Sequence, residues 1–492
     1  MAKKKHVKRD EITDMYKVNR NIRSALVYTF ASVLSRGIAI ITTPIFTRIM
    51  TTEQIGIVNL YNSWNSLISV FATLSLTSGG FSAAMNEFKD RRSAYISSVL
   101  FLTSAVGFFF LAAFVLLGEF FSQITGLSKN LLCLMAVGFI LNPARDFWLA
   151  RQRYEYKYRL AGSITVVTSI LSAMLSVVWV YAIYRGDVND KMVMAEARIK
   201  GSSYIMYLSS FIIWIYIFVK GKTAYNHDFW KLSLSISLPL IGYSVTSQIL
   251  NVSDRMMISH LVNDSAVGIY STLYSISSLS LLVWSALNSS FVPYLYQNIG
   301  NKNEKIKNVS FQLLLLYSIV SIALVYFAPE IVKLLATSEY YQAVFIMPPI
   351  AAGIYYTSVS NMYSNVLIYL KKSKYIMYSS AVAAATNIVL NYVFIKQVGY
   401  YAAAYTTLFS YILMTIMLAY YTCKCAKESK IKIGDFYSNR GILTLSLATT
   451  TLCLLGILFY SNNICRYVVA AVLLLVVILM AYNKRFKMEK GD

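Results

Sequence analysis

Long apolar runs separated by short polar breaks recur from residue 24 to residue 482, and this pattern leaves the chain few ways to fold. About 20 apolar residues in a helix reach across a hydrocarbon core roughly 30 Å thick. Backbone amides in lipid have no water to bond, so runs of this length predict helices packed into a bundle. Fourteen candidate spans follow, at about 24–46, 55–80, 95–118, 130–149, 160–184, 202–219, 232–252, 266–292, 309–328, 343–369, 375–395, 401–422, 441–460 and 465–482. Only 14% of the 492 residues are charged and 57% are hydrophobic, whereas a soluble domain carries about 25% charged residues. No connection is long enough for a soluble domain, so the expected fold is an all-α polytopic membrane bundle.

The formal net charge is +23, and its placement decides its meaning. With the amino terminus in the cytoplasm, 34 of the 45 Lys and Arg residues fall in inside segments and 10 in outside loops. Cytoplasmic loops are enriched in Lys and Arg, so this alternation predicts both termini inside and gives the charge a role in topology and lipid headgroups, not nucleic acid. Residues 185–201 read as an outside polar loop or short interfacial helix, with four basic and three acidic residues. Residues 1–23 are basic, and the apolar run behind them is too long for a cleaved signal core, so the first helix is expected to stay in the product. The five cysteines and three histidines form neither a disulfide framework nor a metal cluster. Gly221-Lys222-Thr223 imitates the end of a phosphate-binding loop, but Tyr216 stands where that motif needs Gly and the segment before it reads as a membrane helix. No cofactor, metal site or catalytic set is expected.

The first run, Ser24 to Ile49, carries Arg36 near its middle. A guanidinium at that depth costs on the order of 2.5–3.5 kcal/mol on insertion scales, so it is expected to face a bundle interior or a polar cavity, bound to an anionic partner or substrate. Arg48 lies twelve residues on, about 18 Å along a helix, and serves either topology or substrate. Asn142 and Arg145 sit where the fourth span nears the cytoplasm, ahead of an inner rim of Arg151, Arg153, Lys157 and Arg159. That rim is either solvated loop with lipid contacts or a guide for an anionic headgroup. Asp254-Arg255 closes the seventh span as a structural ion pair or a cargo contact. Pro44, Pro239, Pro143 and the pair Pro348-Pro349 are expected to bend or interrupt their spans. Tyr61, Trp64, Trp179 and Trp214 are candidate interfacial anchors among 39 tyrosines and 6 tryptophans.

An internal echo supports two halves. At an offset of 212, Ile55-Gly56-Ile57 falls on Val267-Gly268-Ile269, each behind a polar turn. Span one then pairs with span seven and span two with span eight, and the last two spans fall outside the repeat.

The stretches RIMTTEQIGIVNLYNSW, SDRMMISHLVNDSAVGIYSTLYSIS and NIVLNYVFIKQVGYYAAAYTTLFSYI, in this order and spacing, resemble polysaccharide transporters of the Wzx type. That family belongs to the multidrug, oligosaccharidyl-lipid and polysaccharide exporter superfamily. The resemblance implies two pseudo-symmetric six-helix lobes around a central cavity, at 24–219 and 232–422. Residues 1–23, 220–231, 423–440 and 483–492 would be cytoplasmic, and 441–482 would form two additional helices. It implies a non-enzymatic flippase in the bacterial cytoplasmic membrane that moves undecaprenyl-pyrophosphate-linked oligosaccharide to the outer leaflet by alternating access. Membrane lipids, a polysaccharide polymerase and glycosyltransferases would be its partners. Arg36 matches the basic first-helix residue that family members place in the cavity. The two extra helices resemble members that flip peptidoglycan precursors, which keeps that substrate open. A drug exporter of the same superfamily would be expected to hold cations with cavity carboxylates, but this first helix carries an arginine and no acid. A polymerase or ligase would need a larger outside loop than the longest one here, about 17 residues.

Overall fold

The computed structural model describes residues 31, 34–35, 37–77, 80–155, 157–186, 190–299, 304–472 and 475. Among them there is no strand. Ten helical segments are long and apolar enough to cross a membrane by length and composition. Four expected spans are not among these ten. Helices α1 (Gly37–Ile49) and α18 (Asn463–Val472) are described over shorter lengths. Helices α2 (Thr52–Ala72) and α9 (His227–Leu261) are long, but polar residues such as Asn59, Asn62 and Asn65, or Ser233, Ser235 and Ser237, interrupt them. Polar residues at membrane depth require protein or water around them.

The chain divides into two compact units, one ending at Val245 and one starting at Thr246. The division falls inside α9, not within residues 220–231, because α9 is held by different partners along its length. In the first unit the Trp230 indole donates to Ser98 at 3.1 Å and Ser233 bonds Tyr95 at 3.0 Å. In the second, Thr246 bonds Ser380 at 3.3 Å and Ser253 donates to Asn387 at 3.2 Å.

In the first unit α6 (Lys129–Tyr154) packs against α4 (Arg92–Leu116) and α8 (Lys191–Gly221), and α8 packs against α7 (Tyr158–Arg185) and α2. Short helices α3 (Gly80–Glu87) and α5 (Gly118–Thr125) join them. The second unit continues from α10 (Asp264–Ser277) and α11 (Ser280–Asn298) to α12 (Glu304–Tyr326) and the short α13 (Ala328–Leu335). Next come α14 (Met347–Tyr369), α15 (Lys374–Val398), α16 (Tyr401–Glu428) and α17 (Asn439–Leu455). Here α14 packs against α12 and α16, and α16 against α15. The order of partners is that of α6, α4, α8 and α7, so the packing repeats. The central helix is the more buried in each unit: 67% of the most apolar 18-residue stretch of α6 and 89% of that in the segment containing α14 lie inside.

The helix starts repeat as well. Thr51 caps α2 by accepting from the Gln54 amide, with the Gln54 side chain returning a bond to the Thr51 amide. Asn263 caps α10 by accepting from the Ala266 amide at 2.8 Å. Thr51 and Asn263 are separated by the same 212 positions as the Ile-Gly-Ile and Val-Gly-Ile triplets, and in both the side chain satisfies the third helical amide.

Several local expectations are corrected. Of the two readings of residues 185–201, the helical one holds from Lys191 on, but not as a short interfacial helix: Asp190 accepts from the Met192 amide, and α8 runs unbroken from Lys191 into the next span. Glu196 and Lys200, which made the segment look charge-balanced, form an i,i+4 pair at 2.5 Å. The second span stops at Ala72, followed by turn residues Leu74 and Ser75 at positive φ. Pro348 and Pro349 occupy the first turn of α14, where a missing amide costs little, and do not interrupt a helix. Pro143 and Pro239 lie inside continuous helices. Tyr61 is buried and is no interfacial ring.

The carboxyl-terminal helices belong to the second unit. Helix α17 packs on α12 and α14, with Ser318 bonded to Thr449 at 2.6 Å. Arg466 on α18 is only 2% exposed and donates to Glu330 on α13 at 2.6 Å and to the Tyr326 carbonyl at 3.2 Å. Tyr467 reaches the other Glu330 oxygen at 3.1 Å. Burial works against the Glu330 charge, but the bonds from Arg466 hold its carboxyl below the usual range.

Candidate functional site

Arg36 lies outside the described residues. Its neighbour Ser35 accepts from Ser169 on α7 at 3.0 Å. Arg48 is exposed at the end of α1, where its guanidinium donates to the Pro44 carbonyl one turn back at 3.2 Å.

Arg145 and Asn142 stand one turn apart on α6, in the interior of the first unit. Asn142 accepts from Ser210 of α8 at 3.3 Å. Arg145 is 8% exposed. One guanidinium nitrogen points at the Met206 sulfur at 3.0 Å, a second donates to Thr168 Oγ1 at 3.2 Å, and Nε has no partner. Among the described residues no carboxylate lies within salt-bridge distance of it. Thioether sulfur and hydroxyl are weak acceptors for a full charge. A buried cation normally has an anion beside it, because desolvation costs several kcal/mol per ion. This guanidinium retains unused capacity for an oxyanion.

Asp254 and Arg255 are answered from within the second unit. Asp254 is 2% exposed, accepts from the Arg255 amide at 2.9 Å and the Tyr270 hydroxyl at 2.6 Å, and pairs with the Arg255 guanidinium at 3.3 Å. The same guanidinium donates to the Asn251 carbonyl and lies 4.4 Å from the centre of the Tyr274 ring. Tyr411 on α16 donates to the Asn251 side chain at 3.3 Å. Both charges are engaged, which is the geometry of a structural pin joining α9, α10 and α16.

Sequence reasoning missed the groups around this pin. Tyr270 and Tyr274 are four residues apart on α10, as are Asn387 and Asn391 on α15; each pair shares one helix face. Asn387 accepts from Ser253 and Asn391 and donates to Thr407 at 3.3 Å, and Thr406 donates to Asn391. Arg198 was missed because its segment was read as a polar loop or short interfacial helix. Its guanidinium stands 4.0 Å from the Phe46 ring centre, tying α8 to the end of α1. The false phosphate loop has its physical explanation too. Gly221 is needed where α8 meets α4, since a Cβ there would stand 2.5 Å from the Ser93 carbonyl.

Comparisons with known proteins agree with this architecture. The family model described as polysaccharide biosynthesis protein matches residues 22–299, and the MatE model matches 239–393. Protein 1 of the Lsg locus of Haemophilus influenzae is 20% identical over 401 residues, 77% of this chain and 93% of its own length. The Haloferax volcanii protein named "Probable low-salt glycan biosynthesis flippase Agl15" is 24% identical over 249 residues, 46% of this chain and 51% of its own. The structure of the lipid II flippase MurJ in an inward closed conformation superposes with a TM-score of 0.65 at 15% identity, covering 94% of this chain and all of that one. The chain is a multi-pass helical membrane protein with the transporter fold of the multidrug, oligosaccharidyl-lipid and polysaccharide exporter superfamily, and it belongs to the polysaccharide biosynthesis protein family.

Proposed function

We propose that this protein is a non-enzymatic flippase that carries undecaprenyl-pyrophosphate-linked oligosaccharide, the repeat unit of a surface polysaccharide, from the inner to the outer leaflet of a bacterial cytoplasmic membrane by alternating access. Both termini lie in the cytoplasm, and glycosyltransferases and a polymerase act before and after it. The observation that supports an anionic cargo is the buried Arg145 guanidinium, which feels the charge of the adjacent Asp146 but has no carboxylate within ion-pair distance among the described residues. A pyrophosphate offers the oxygens it lacks, in a geometry a planar guanidinium binds with two bonds. Arg36 is proposed as the second cationic contact, Asn142 as a polar neighbour and Arg48 as an outer one. Asp254 and Arg255 keep the second unit in shape. Flipping makes no covalent bond, so the task is to shelter sugar and diphosphate from hydrocarbon.

The test is transport by the purified protein in liposomes loaded on one leaflet with undecaprenyl-pyrophosphate oligosaccharide or, in parallel, with lipid II. Movement of the oligosaccharide lipid, lost in Arg36→Ala and Arg36→Glu and partly kept in Arg36→Lys, is the expected result. Movement of lipid II alone would transfer the reading to peptidoglycan precursors. Transport of neither, with export of organic cations, would transfer it to drug efflux.

A further inference from the structure

At the basic end of the first unit, the ends of α4, α6, α7 and α8 meet around a cavity of about 50 Å³ lined by Ser93, Trp148, Arg151, Glu155, Lys157 and Lys220 among others. Arg151 donates from Nε to Glu155 at 2.7 Å and from Nη1 to Ser93 at 3.1 Å. Lys157 reaches the other Glu155 oxygen at 2.6 Å, and Lys220 donates to the Tyr216 hydroxyl at 3.0 Å. Burial works against the Glu155 charge, but the bonds from Lys157 and Arg151 hold its carboxyl below the usual range. Three basic side chains therefore face one carboxylate. Each ammonium has three donors and a guanidinium five, more than these bonds engage. Gly221 lets α8 close on Ser93 and Ser97, so Lys220 is fixed beside the cavity.

A second feature adjoins the first. Ile212, Ile215, Tyr216 and Val219 are exposed at helical spacing on α8, and this apolar stripe ends at Lys220. An anion-seeking cavity at the end of a lipid-facing stripe fits an amphiphile with its charge at one end. Its chains would lie along α8 and its phosphate among Arg151, Lys157 and Lys220. We propose that this cavity is a binding site for the phosphate of an anionic membrane phospholipid, separate from the Arg145 centre.

The experiment uses the full chain in phosphatidylcholine nanodiscs with and without phosphatidylglycerol, reading the thermal midpoint and the lipids retained in native mass spectrometry. Phosphatidylglycerol is expected to raise the midpoint and stay bound. Lys157→Gln and Lys220→Gln should each weaken its retention about five-fold, the usual contribution of one interfacial lysine. Lys220→Arg should keep it. Lys89→Gln and Lys231→Gln each remove the same single charge from exposed positions outside the cavity and should change nothing. Equal loss in these controls would reduce the effect to diffuse surface charge. Displacement by inorganic phosphate at concentrations matching the lipid would make the site a free-anion site. Either outcome, or no preference for phosphatidylglycerol over phosphatidylcholine, overturns the proposal.

Discussion

Arg145→Met separates a binding cation from a structural one, because the two roles predict opposite effects on stability. Methionine fills a similar volume next to Met206 and Thr168 without burying a charge. The guanidinium makes one bond to a hydroxyl and one to sulfur, and its Nε makes none. A bond from a charged donor contributes about 1.5–3 kcal/mol, and a sulfur acceptor is weaker. Burying the ion costs several kcal/mol, which the variant recovers, while the adjacent Asp146 loses a nearby charge but no bond. The variant is therefore expected to unfold at an unchanged or higher temperature. If the guanidinium bonds a pyrophosphate during transport, losing one charge-assisted bond of about 1.5–3 kcal/mol slows flipping about 10- to 150-fold. The assays are thermal unfolding in detergent and leaflet-resolved transport in liposomes, normalised to folded protein. A variant that loses about 2 kcal/mol or more of stability while each folded molecule transports normally would refute the reasoning.

Other outcomes follow from the same geometry. Asp254→Ala strands the Arg255 charge and the Tyr270 hydroxyl and should cost about 3–5 kcal/mol, and Asp254→Asn, which keeps an acceptor, should cost less; denaturation of the two variants side by side checks the order. The Glu330 carboxyl is held below its unfolded value, so its contribution with Arg466 is complete above about pH 4.3 and declines as pH falls through the lower folded value. Thermal midpoints across acid pH should fall in the native chain more than in Glu330→Gln. At Gly201 a Cβ would stand 2.6 Å from the Ser176 Cα, so Gly201→Ala should push α7 from α8 and cost about 1–3 kcal/mol, whereas Gly434→Ala, with nothing within 4 Å, should be silent.

The helices were legible in the sequence because lipid punishes any other backbone arrangement, and apolar length reports that directly. The repeat was legible at Gly56 and Gly268, where a polar turn precedes a small residue in both halves. Residues 191–200 were left between loop and short helix because loop charge and helix charge look alike until Glu196 and Lys200 are seen four apart behind an Asp190 cap. Pro348 and Pro349 were misread because proline in an apolar run signals a break, and only the helix start shows that they sit where an amide is dispensable. Of the candidate residues, Arg145 was singled out where the fourth span nears the cytoplasm and Asp254-Arg255 at the close of the seventh, but the partners that Arg145 meets were not visible. Arg145 meets sulfur and hydroxyl from α8 and α7, distant in sequence, whereas Arg255 meets a carboxylate and a carbonyl of its own helix and the Tyr274 ring of α10. Tyr270, Tyr274 and Asn387 went unread because nothing along the chain marks which tyrosine or asparagine meets a charge.

The matching starts of α2 and α10 bear on how such halves should be compared. Threonine and asparagine differ as letters, yet at these two places each offers one side-chain oxygen to one amide three residues ahead. A comparison that scores identity treats the position as a mismatch, whereas one that asks for an acceptor finds it preserved. Kinship between the halves is then better traced through interchangeable chemical tasks than through spelling, and exchanging the two residues should leave each half able to begin its helix where it does now.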